Sequence, residues 1–208
     1  FVFNSSNNVI TCYHIVKGAK EIWVKFQNGD ETRARVVFKD ESGDIALLNL
    51  DRTPGQQFAS LVLGDSKKMQ LGDKVFTLGF PIVSLLGMEL RYNEGVISAL
   101  SGVKGDTNSF QISVPIQNGN SGGPLFNQKN ELIGIVSSSL DARNTAEITG
   151  NFPQNINFAV KSALVGNVLA QAPGTMLNNA GFVPIPTPKT SSFTERVKNN
   201  IVFIEGKK

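Results

Sequence analysis

The pattern that most constrains the fold is a series of short apolar segments broken by turn residues, from residue 1 to about residue 160. In residues 22–26, Ile22, Val24 and Phe26 alternate with two other side chains, which is the period of a half-buried strand. The pair Asn28-Gly29 follows and is typical of a β-hairpin turn. Further strands are predicted at residues 35–38, 45–50, 74–78, 96–100, 110–114, 132–137 and 157–160. Many short strands without intervening helices favour an all-β barrel or sandwich.

The C-terminal part of the chain departs from this pattern. Residues 161–170 place Ala163, Leu164, Val168 and Leu169 on one helical face, which predicts a helix packed on the β structure. Prolines at positions 184, 186 and 188 then predict an extended connector. A serine at position 191 or 192 can cap a helix, and residues 201–204 are strand-like. We therefore predict a main domain over residues 1–172 and a connector with a tail strand over residues 173–208.

Composition and charge exclude several classes of function. The net charge is +3, and the basic residues are scattered, so nucleic acid is not expected as a partner. No apolar run reaches the roughly 20 residues that span a membrane. The single cysteine, Cys12, excludes an internal disulfide and a multi-cysteine zinc site. Because the chain opens with the strand-like Phe1-Val2-Phe3, we expect that an N-terminal strand is missing.

The sharpest chemical signal is the string Gly-Asn-Ser-Gly-Gly-Pro-Leu at residues 119–125. A serine hydroxyl becomes an effective nucleophile when it is exposed, aligned and next to a base. The glycines around Ser121 allow a tight turn that substrate can approach. In the same turn, Gly119, Asn120 and Ser121 can aim main-chain N–H groups at an oxyanion, each donor being worth about 3 kcal/mol of barrier. The alternative interpretation is a glycine-rich hairpin turn with an incidental serine.

His14 is the only histidine, so it is the only imidazole available to activate Ser121. It stands where a strand is predicted to end, and a rigid element holds a general base well. Asp44 opens the next buried strand and would fix the imidazole tautomer. Asp40 and Glu41 are rivals for this role, but the apolar run that could bury a carboxylate follows Asp44 directly. Taken alone, His14 is more often a structural histidine and Asp44 a turn residue.

Three motifs in this order resemble the trypsin-like serine proteases of the bacterial HtrA/DegP branch. They are T-C-Y-H-I-V at residues 11–16, S-G-D-I-A-L-L at residues 42–48 and G-N-S-G-G-P-L at residues 119–125. The resemblance, which extends to about residue 170, implies two perpendicular six-stranded β-barrels of the chymotrypsin type with the triad in the cleft between them. His14 and Asp44 would come from the first barrel and Ser121 from the second. It also implies polypeptide substrates, a homotrimer and a periplasmic or other extracytoplasmic location.

By the same resemblance, the primary substrate pocket is lined by Ile116, Asn118, Ile156, Asn157 and Phe158. No acidic residue lies in residues 114–118, so a preference for Lys or Arg is not expected. An apolar pocket suits a small or medium aliphatic residue such as Val, Ala or Leu. Residues 141–154 are interpreted as a long polar loop that gates the site.

Some features depart from the family pattern. Cys12 and Tyr13 precede the histidine where the family more often has small or polar residues, which predicts crowding near His14. We interpret Cys12 as a buried packing residue, since no glycine-rich turn flanks it. No PDZ module is expected within residues 171–208. Residues 195–204 resemble the segment that opens the domain in this family, so we hypothesise that this tail fills the first-strand position, within the chain or in a neighbouring copy.

These observations predict a serine endopeptidase that works through an acyl-enzyme and needs no cofactor or metal ion. Ser121 attacks the peptide bond, His14 accepts its proton, and Asp44 orients the imidazole. Activity is expected to fall when acid protonates the imidazole. One alternative is a catalytically idle domain that binds polypeptides as a chaperone or scaffold. Another is a protease dedicated to a single partner.

Overall fold

A computed structural model of the chain describes residues 1–3, 7–52, 55–137, 156–171 and 191–208. The chain divides into two compact units. The first unit combines Phe1–Val62 with Val165–Lys208, and the second is Leu63–Leu164. Each unit has its own β-sheet and apolar core. His14 and Asp44 therefore belong to the first unit, and Ser121 belongs to the second.

The first unit is built on one antiparallel sheet with the strand order β1-β4-β3-β2-β12. Its strands are β1 (Asn8–Cys12), β2 (Glu21–Lys25), β3 (Glu31–Asp40), β4 (Ile45–Leu50) and, from the end of the chain, β12 (Phe203–Lys207). Every second residue of β2 is buried, as the alternating pattern predicts. By contrast, β1 is buried along its whole length and β4 almost so. The two strands that precede His14 and follow Asp44 are thus deeply buried.

The second unit contains a closed barrel. Its strands are β5 (Val62–Leu63), β6 (Lys74–Gly79), β7 (Arg91–Ala99), β8 (Ser109–Ile112), β9 (Pro124–Asn127), β10 (Glu131–Ser137) and β11 (Asn157–Lys161). β11 pairs with both β8 and β10, which closes β6 to β11 into a six-stranded barrel, and β5 extends the sheet beside β10. Its core is rich in branched aliphatic and aromatic side chains, among them Val75, Ile97, Phe110, Ile112 and Leu125.

Helices are short and few in the described residues. α1 (Tyr13–Val16) follows β1, and α2 (Val83–Leu86) lies between β6 and β7. α3 (Ser162–Gln171) follows β11, and α4 (Phe193–Val197) precedes a 3₁₀ turn at Lys198–Asn200. The hydroxyl of Ser192 caps α4 by accepting the N–H of Glu195 (3.2 Å). None of these helices is long and apolar enough to cross a membrane.

The structure confirms the all-β, chymotrypsin-like class and the helix predicted at residues 161–170. The second unit has the six barrel strands that were predicted, but the sheet of the first unit has five among the described residues. Ahead of β1, Val2 forms only an isolated bridge with Val9. The tail strand lies at Phe203–Lys207 and pairs with β2 within the chain. The predicted gating loop, up to Gln154, and the Pro-rich connector lie outside the described residues.

Candidate active site

His14 and Asp44 meet because of the register between two strands. β1 pairs with β4 up to Cys12↔Ile45, so the next residue on each side is Tyr13 and Asp44. There the N–H of Tyr13 donates to the main-chain oxygen of Asp44 (3.0 Å). The following N–H, that of His14, donates to Oδ1 of the Asp44 carboxylate (2.8 Å). Asp44 thus fixes the start of α1, the helix that carries the imidazole.

The two side chains form a short hydrogen bond. Nδ1 of His14 lies 2.7 Å from Oδ2 of Asp44, and the side chains are 37% and 22% exposed. An ionised carboxylate can only accept hydrogen bonds, so Nδ1 of the neutral ring carries the proton and Nε2 presents a lone pair. This is the tautomer that a general base requires.

The turn that presents Asp44 is shaped by a second aspartate. Oδ1 of Asp40 accepts the N–H of Gly43 (3.0 Å) and the hydroxyl of Ser42 (2.7 Å). These two hydrogen bonds, the one from Gly43 first, lower the pKa of Asp40. At the end of the turn Asp44 has a φ of 52°, a left-handed conformation that few non-glycine residues adopt. Such conformations cost free energy and cluster at functional sites.

Asp40 and Glu41, the two alternative partners for His14 considered from the sequence, form hydrogen bonds with other residues. Asp40 holds the turn, and Glu41 accepts a hydrogen bond from Nζ of Lys39 (2.6 Å), which lowers the pKa of Glu41. The structure therefore brings Asp44, and neither of its two acidic neighbours, to the imidazole of His14.

Ser121 lies in the second unit, in the tight turn that precedes β9. Gly119 and Gly122 have φ values of 100° and 80°, in the region that favours glycine. A Cβ at Gly119 would also overlap the carbonyl oxygen of Phe80. Both conformation and space therefore restrict position 119 to glycine, which the motif alone could not show.

The same turn is anchored on both sides. On one side the N–H of Ile82 donates to the oxygen of Asn118 (2.8 Å). On the other side Val136 of β10 accepts the N–H of Gly122 (2.8 Å) and donates to the oxygen of Gly123 (2.9 Å). The turn is thus held in place by the barrel. Phe80 and Ile82, which contact this turn through their main chains, were not predicted as site residues.

Two features of this turn bear on the predicted oxyanion hole. In the part of the chain that the structure describes, the N–H of Gly119 donates to no acceptor. Asn120 is only 1% exposed, so its side chain points into the unit, where its amide atoms have no described partner. The main-chain N–H of Asn120 donates to the oxygen of Gln117 (3.0 Å), so in this structure it is not available to an oxyanion.

The residues predicted for the substrate pocket fall on two adjoining segments of the second unit. Ile116 and Asn118 lie between β8 and β9, and Ile156, Asn157 and Phe158 lie at or just before the start of β11. The amide of Asn157 donates to the main-chain oxygen of Val114 (2.8 Å), which joins the two segments. Ile116 packs against the barrel core, and Ile156 is 41% exposed. These neighbours offer apolar surface and no carboxylate.

A cavity of about 580 Å³ lies at a different place on the second unit. Its charged lining balances three lysines, at positions 68, 74 and 129, with three acidic residues, Asp65, Asp73 and Glu131. Each carboxylate already accepts a hydrogen bond from a neighbouring residue of the chain. No residue predicted for the triad, the oxyanion hole or the substrate pocket lines this cavity.

Cys12 is buried at the end of β1 and forms no disulfide. It nevertheless lies close to the two residues of the first unit's site. Its sulfur, a ring nitrogen of His14 and a carboxylate oxygen of Asp44 all lie within 4.8 Å of one another. The sequence predicted no metal site, and this is the one cluster of potential ligands found among the described residues.

Comparison with known proteins identifies the family. A sequence model of the trypsin-like peptidase domain matches residues 1–135, a stretch that includes His14, Asp44 and Ser121. The chain belongs to the trypsin-like peptidase family. Within this family it is similar to a protein named a probable periplasmic serine endoprotease DegP-like from Pseudomonas putida, with 37% identity over 140 residues. That alignment covers 66% of this chain and 28% of the relative.

Two further relatives of this trypsin-like chain cover more of it. A probable periplasmic serine protease do/HhoA-like from Haemophilus influenzae is 34% identical over 179 residues, which are 82% of this chain and 35% of the relative. The uncharacterized protein y4bJ from Sinorhizobium fredii is 35% identical over 163 residues, or 78% of this chain and 25% of the relative. The matched part of this chain thus spans about a quarter to a third of the length of these curated relatives.

Proposed function

We propose that this trypsin-like domain is a serine endopeptidase that hydrolyses peptide bonds through an acyl-enzyme. The observation that carries the proposal is the 2.7 Å hydrogen bond between His14 Nδ1 and Asp44 Oδ2, made by the only histidine of the chain. That bond leaves Nε2 as the acceptor for a serine proton. Ser121, in a glycine turn of restricted conformation, is the proposed nucleophile.

The reaction follows from these groups. Ser121 Oγ attacks the substrate carbonyl carbon while its proton passes to Nε2 of His14. The N–H groups of Gly119 and Ser121 stabilise the oxyanion of the tetrahedral intermediate. The imidazolium, stabilised by Asp44, then protonates the leaving amine, and the acyl-enzyme remains on Ser121. Water attacks the ester with His14 again as the base, which releases the acid and restores the serine. No cofactor enters these steps.

The proposed substrates are polypeptides cleaved after small or medium aliphatic residues. The apolar surfaces of Ile116 and Ile156, with no acidic residue in residues 114–118, support this preference. A digest of a peptide library should therefore show Val, Ala or Leu before the cut. Cleavage mainly after Lys or Arg would contradict the proposed pocket. Cleavage of a single natural partner, with none in the library, would favour the dedicated protease.

An extracytoplasmic, trimeric protein is the accompanying proposal. The names of the Pseudomonas and Haemophilus relatives include the word periplasmic, which supports the location. The trimer rests on the family resemblance alone, and light scattering of the purified protein tests it.

The decisive experiment is labelling with a fluorophosphonate probe, which reacts with an activated serine. The native chain should be labelled, and Ser121→Ala and His14→Ala should not. Slower labelling of the native chain in the presence of a peptide ester, together with release of the acid from that ester, would show that the same site turns over substrate. Absence of labelling in a folded native chain would overturn the proposal and favour the idle, polypeptide-binding domain on the same fold.

A further inference from the structure

Cys12 is the residue near the catalytic pair for which the proposed reaction has no use. It stands two positions before His14 and ends the buried strand β1. Thiolate, imidazole and carboxylate are the three protein groups that bind zinc most often. All three are present here, on residues whose positions are fixed by the β1–β4 register and by the hydrogen bonds of Asp44.

The spacing of the three groups is close to that of a metal site. Tetrahedral zinc has metal–sulfur and metal–nitrogen distances of about 2.3 and 2.0 Å, which place two such ligands about 3.6 Å apart. The Cys12, His14 and Asp44 ligand atoms lie within 4.8 Å of one another. The 4.8 Å limit exceeds the ligand spacing of tetrahedral zinc by only about 1 Å, so small side-chain shifts would bring the three atoms onto one ion.

We propose that Cys12, His14 and Asp44 form an inhibitory site for a thiophilic divalent cation such as Zn²⁺ or Cd²⁺. Three protein ligands leave a fourth position for water. The bonds formed are metal–Sγ, metal–Nδ1 and metal–carboxylate oxygen. The thiol proton is released to solvent, and the proton of Nδ1 moves to Nε2, so the neutral ring keeps one proton. No oxidation or reduction takes place.

The cation would inhibit because it changes which nitrogen of the imidazole carries the proton. This inhibitory role rests on the proposed function, in which His14 is the general base. In the metal-free pair Nδ1 carries the proton, and Nε2 accepts the proton of Ser121. With the cation on Nδ1, Nε2 carries the proton and can no longer accept one. The cation therefore blocks the general base while leaving Ser121 chemically intact.

The sequence makes the site unusually easy to observe, because Cys12 is the only cysteine and His14 the only histidine. Cobalt(II) bound by a thiolate gives a near-ultraviolet charge-transfer band, so such a band in the native chain can come only from Cys12. The protein must be purified without a histidine tag. We expect the band at one Co²⁺ per chain and its loss in Cys12→Ala. His14→Ala should weaken Co²⁺ binding at least about tenfold. Ser121→Ala should leave the band unchanged.

Inhibition is measured in parallel as the rate of fluorophosphonate labelling against Zn²⁺ or Cd²⁺ concentration, each variant being compared with its own metal-free rate. In Cys12→Ala, and also in Cys12→Ser, the concentration for half inhibition should rise at least about tenfold. A chelator should restore the rate of the native chain.

Inhibition without the thiolate band, or equal inhibition of the native and Cys12 variants, would overturn the proposal. A band without inhibition would overturn the inhibitory role. A chain that is not labelled even without metal would overturn the proposed function and the inhibitory role together, while the band would still support the three-ligand site.

Discussion

At the scale of single residues, Asp44 performs two tasks with one carboxylate. Oδ1 accepts the N–H of His14 and so fixes the first turn of α1, while Oδ2 accepts the imidazole Nδ1–H. The first interaction needs only an oxygen atom. The second needs a group that cannot donate, because a donor would turn the ring into the wrong tautomer.

Asp44→Asn is therefore expected to preserve the fold and to remove most of the activity. The amide can keep an oxygen toward one partner but then offers its N–H₂ group to the other. We expect kcat/KM for a peptide substrate to fall by about 10⁴-fold, with little change in the thermal unfolding midpoint. The matched control is Glu41→Gln, three residues away, which removes the same charge from an exposed side chain paired with Lys39. Equal losses in the two variants would contradict the role of Asp44.

Gly119 allows a second test at this scale. Gly119→Ala places a methyl group against the carbonyl oxygen of Phe80 and forces alanine to a φ of 100°. Gly105→Ala is the matched control, since Gly105 also has a positive φ, of 80°, but open space around it. We expect Gly105→Ala to lower the free energy of unfolding by about 1 kcal/mol without loss of labelling. Gly119→Ala should abolish fluorophosphonate labelling, and near-native labelling of this variant would show that the turn tolerates the shift.

The sequence identified Asp44 among three acidic residues because a buried apolar run follows it. It could not show that Asp40 shapes the turn, because this role depends on hydrogen bonds to Ser42 and Gly43 that leave no pattern in the sequence. Nor could it show that Phe80 restricts Gly119, since the two positions are far apart in the chain and meet only in the fold.

At the scale of elements, the last strand of the chain packs beside the helix that carries His14. β12 pairs with β2 from Phe203↔Lys25 to Lys207↔Glu21. The N–H of Lys20 donates to the oxygen of Lys207 (2.8 Å). A Cβ at Gly206 would lie 3.0 Å from the oxygen of Ile15, which is in α1, and 3.1 Å from the Cβ of Ala19. The close approach of β12 to α1 thus depends on a glycine.

Gly206→Val is expected to push β12 away from α1. Valine favours strands, so any loss reports on packing rather than on backbone preference. We expect the free energy of unfolding to fall by about 1–3 kcal/mol, as for other overpacked sites. The rate of labelling at Ser121 should also fall, because α1 carries His14, the proposed general base. Gly55→Val, at a glycine with nothing within 4 Å, should change the free energy of unfolding by less than about 0.5 kcal/mol. Equal effects at the two glycines would contradict the packing argument.

Strands with a clear run or alternation of apolar residues were predictable, and very short strands were not. β2 and β4 were placed close to their observed bounds because apolar residues define one or both faces. β9 was missed because it begins with Pro124 and is only four residues long, and β5 has only two residues. Both strands are defined by their hydrogen bonds to neighbouring strands. The local sequence of so short a segment does not reveal those hydrogen bonds.

At the scale of the whole molecule, the sequence indicated the class of fold but not the composition of the first sheet. The predicted sixth strand would have needed a full strand at the start of the chain, where Val2 makes one bridge. The C-terminal tail supplies an edge strand at Phe203–Lys207, which shares residues 203 and 204 with the segment likened to the family's domain-opening strand. A strand that pairs with a partner more than 170 residues away along the chain cannot be deduced from local periodicity.

Asn200 fixes the register of the C-terminal tail relative to the rest of the first unit. Its fully buried side chain donates to the oxygens of Val2 (2.8 Å) and Ala59 (2.7 Å) and accepts the N–H of Ala59 (2.9 Å). If the tail slipped by one residue, this amide and the main-chain groups of Ala59 would lose their partners in an apolar interior, at a cost of several kcal/mol. Apolar contacts alone would allow such sliding. Asn200 therefore joins three distant segments of the first unit, those that contain Val2, Ala59 and Asn200 itself. By fixing the position of the tail, it also determines which residue of β12 faces α1.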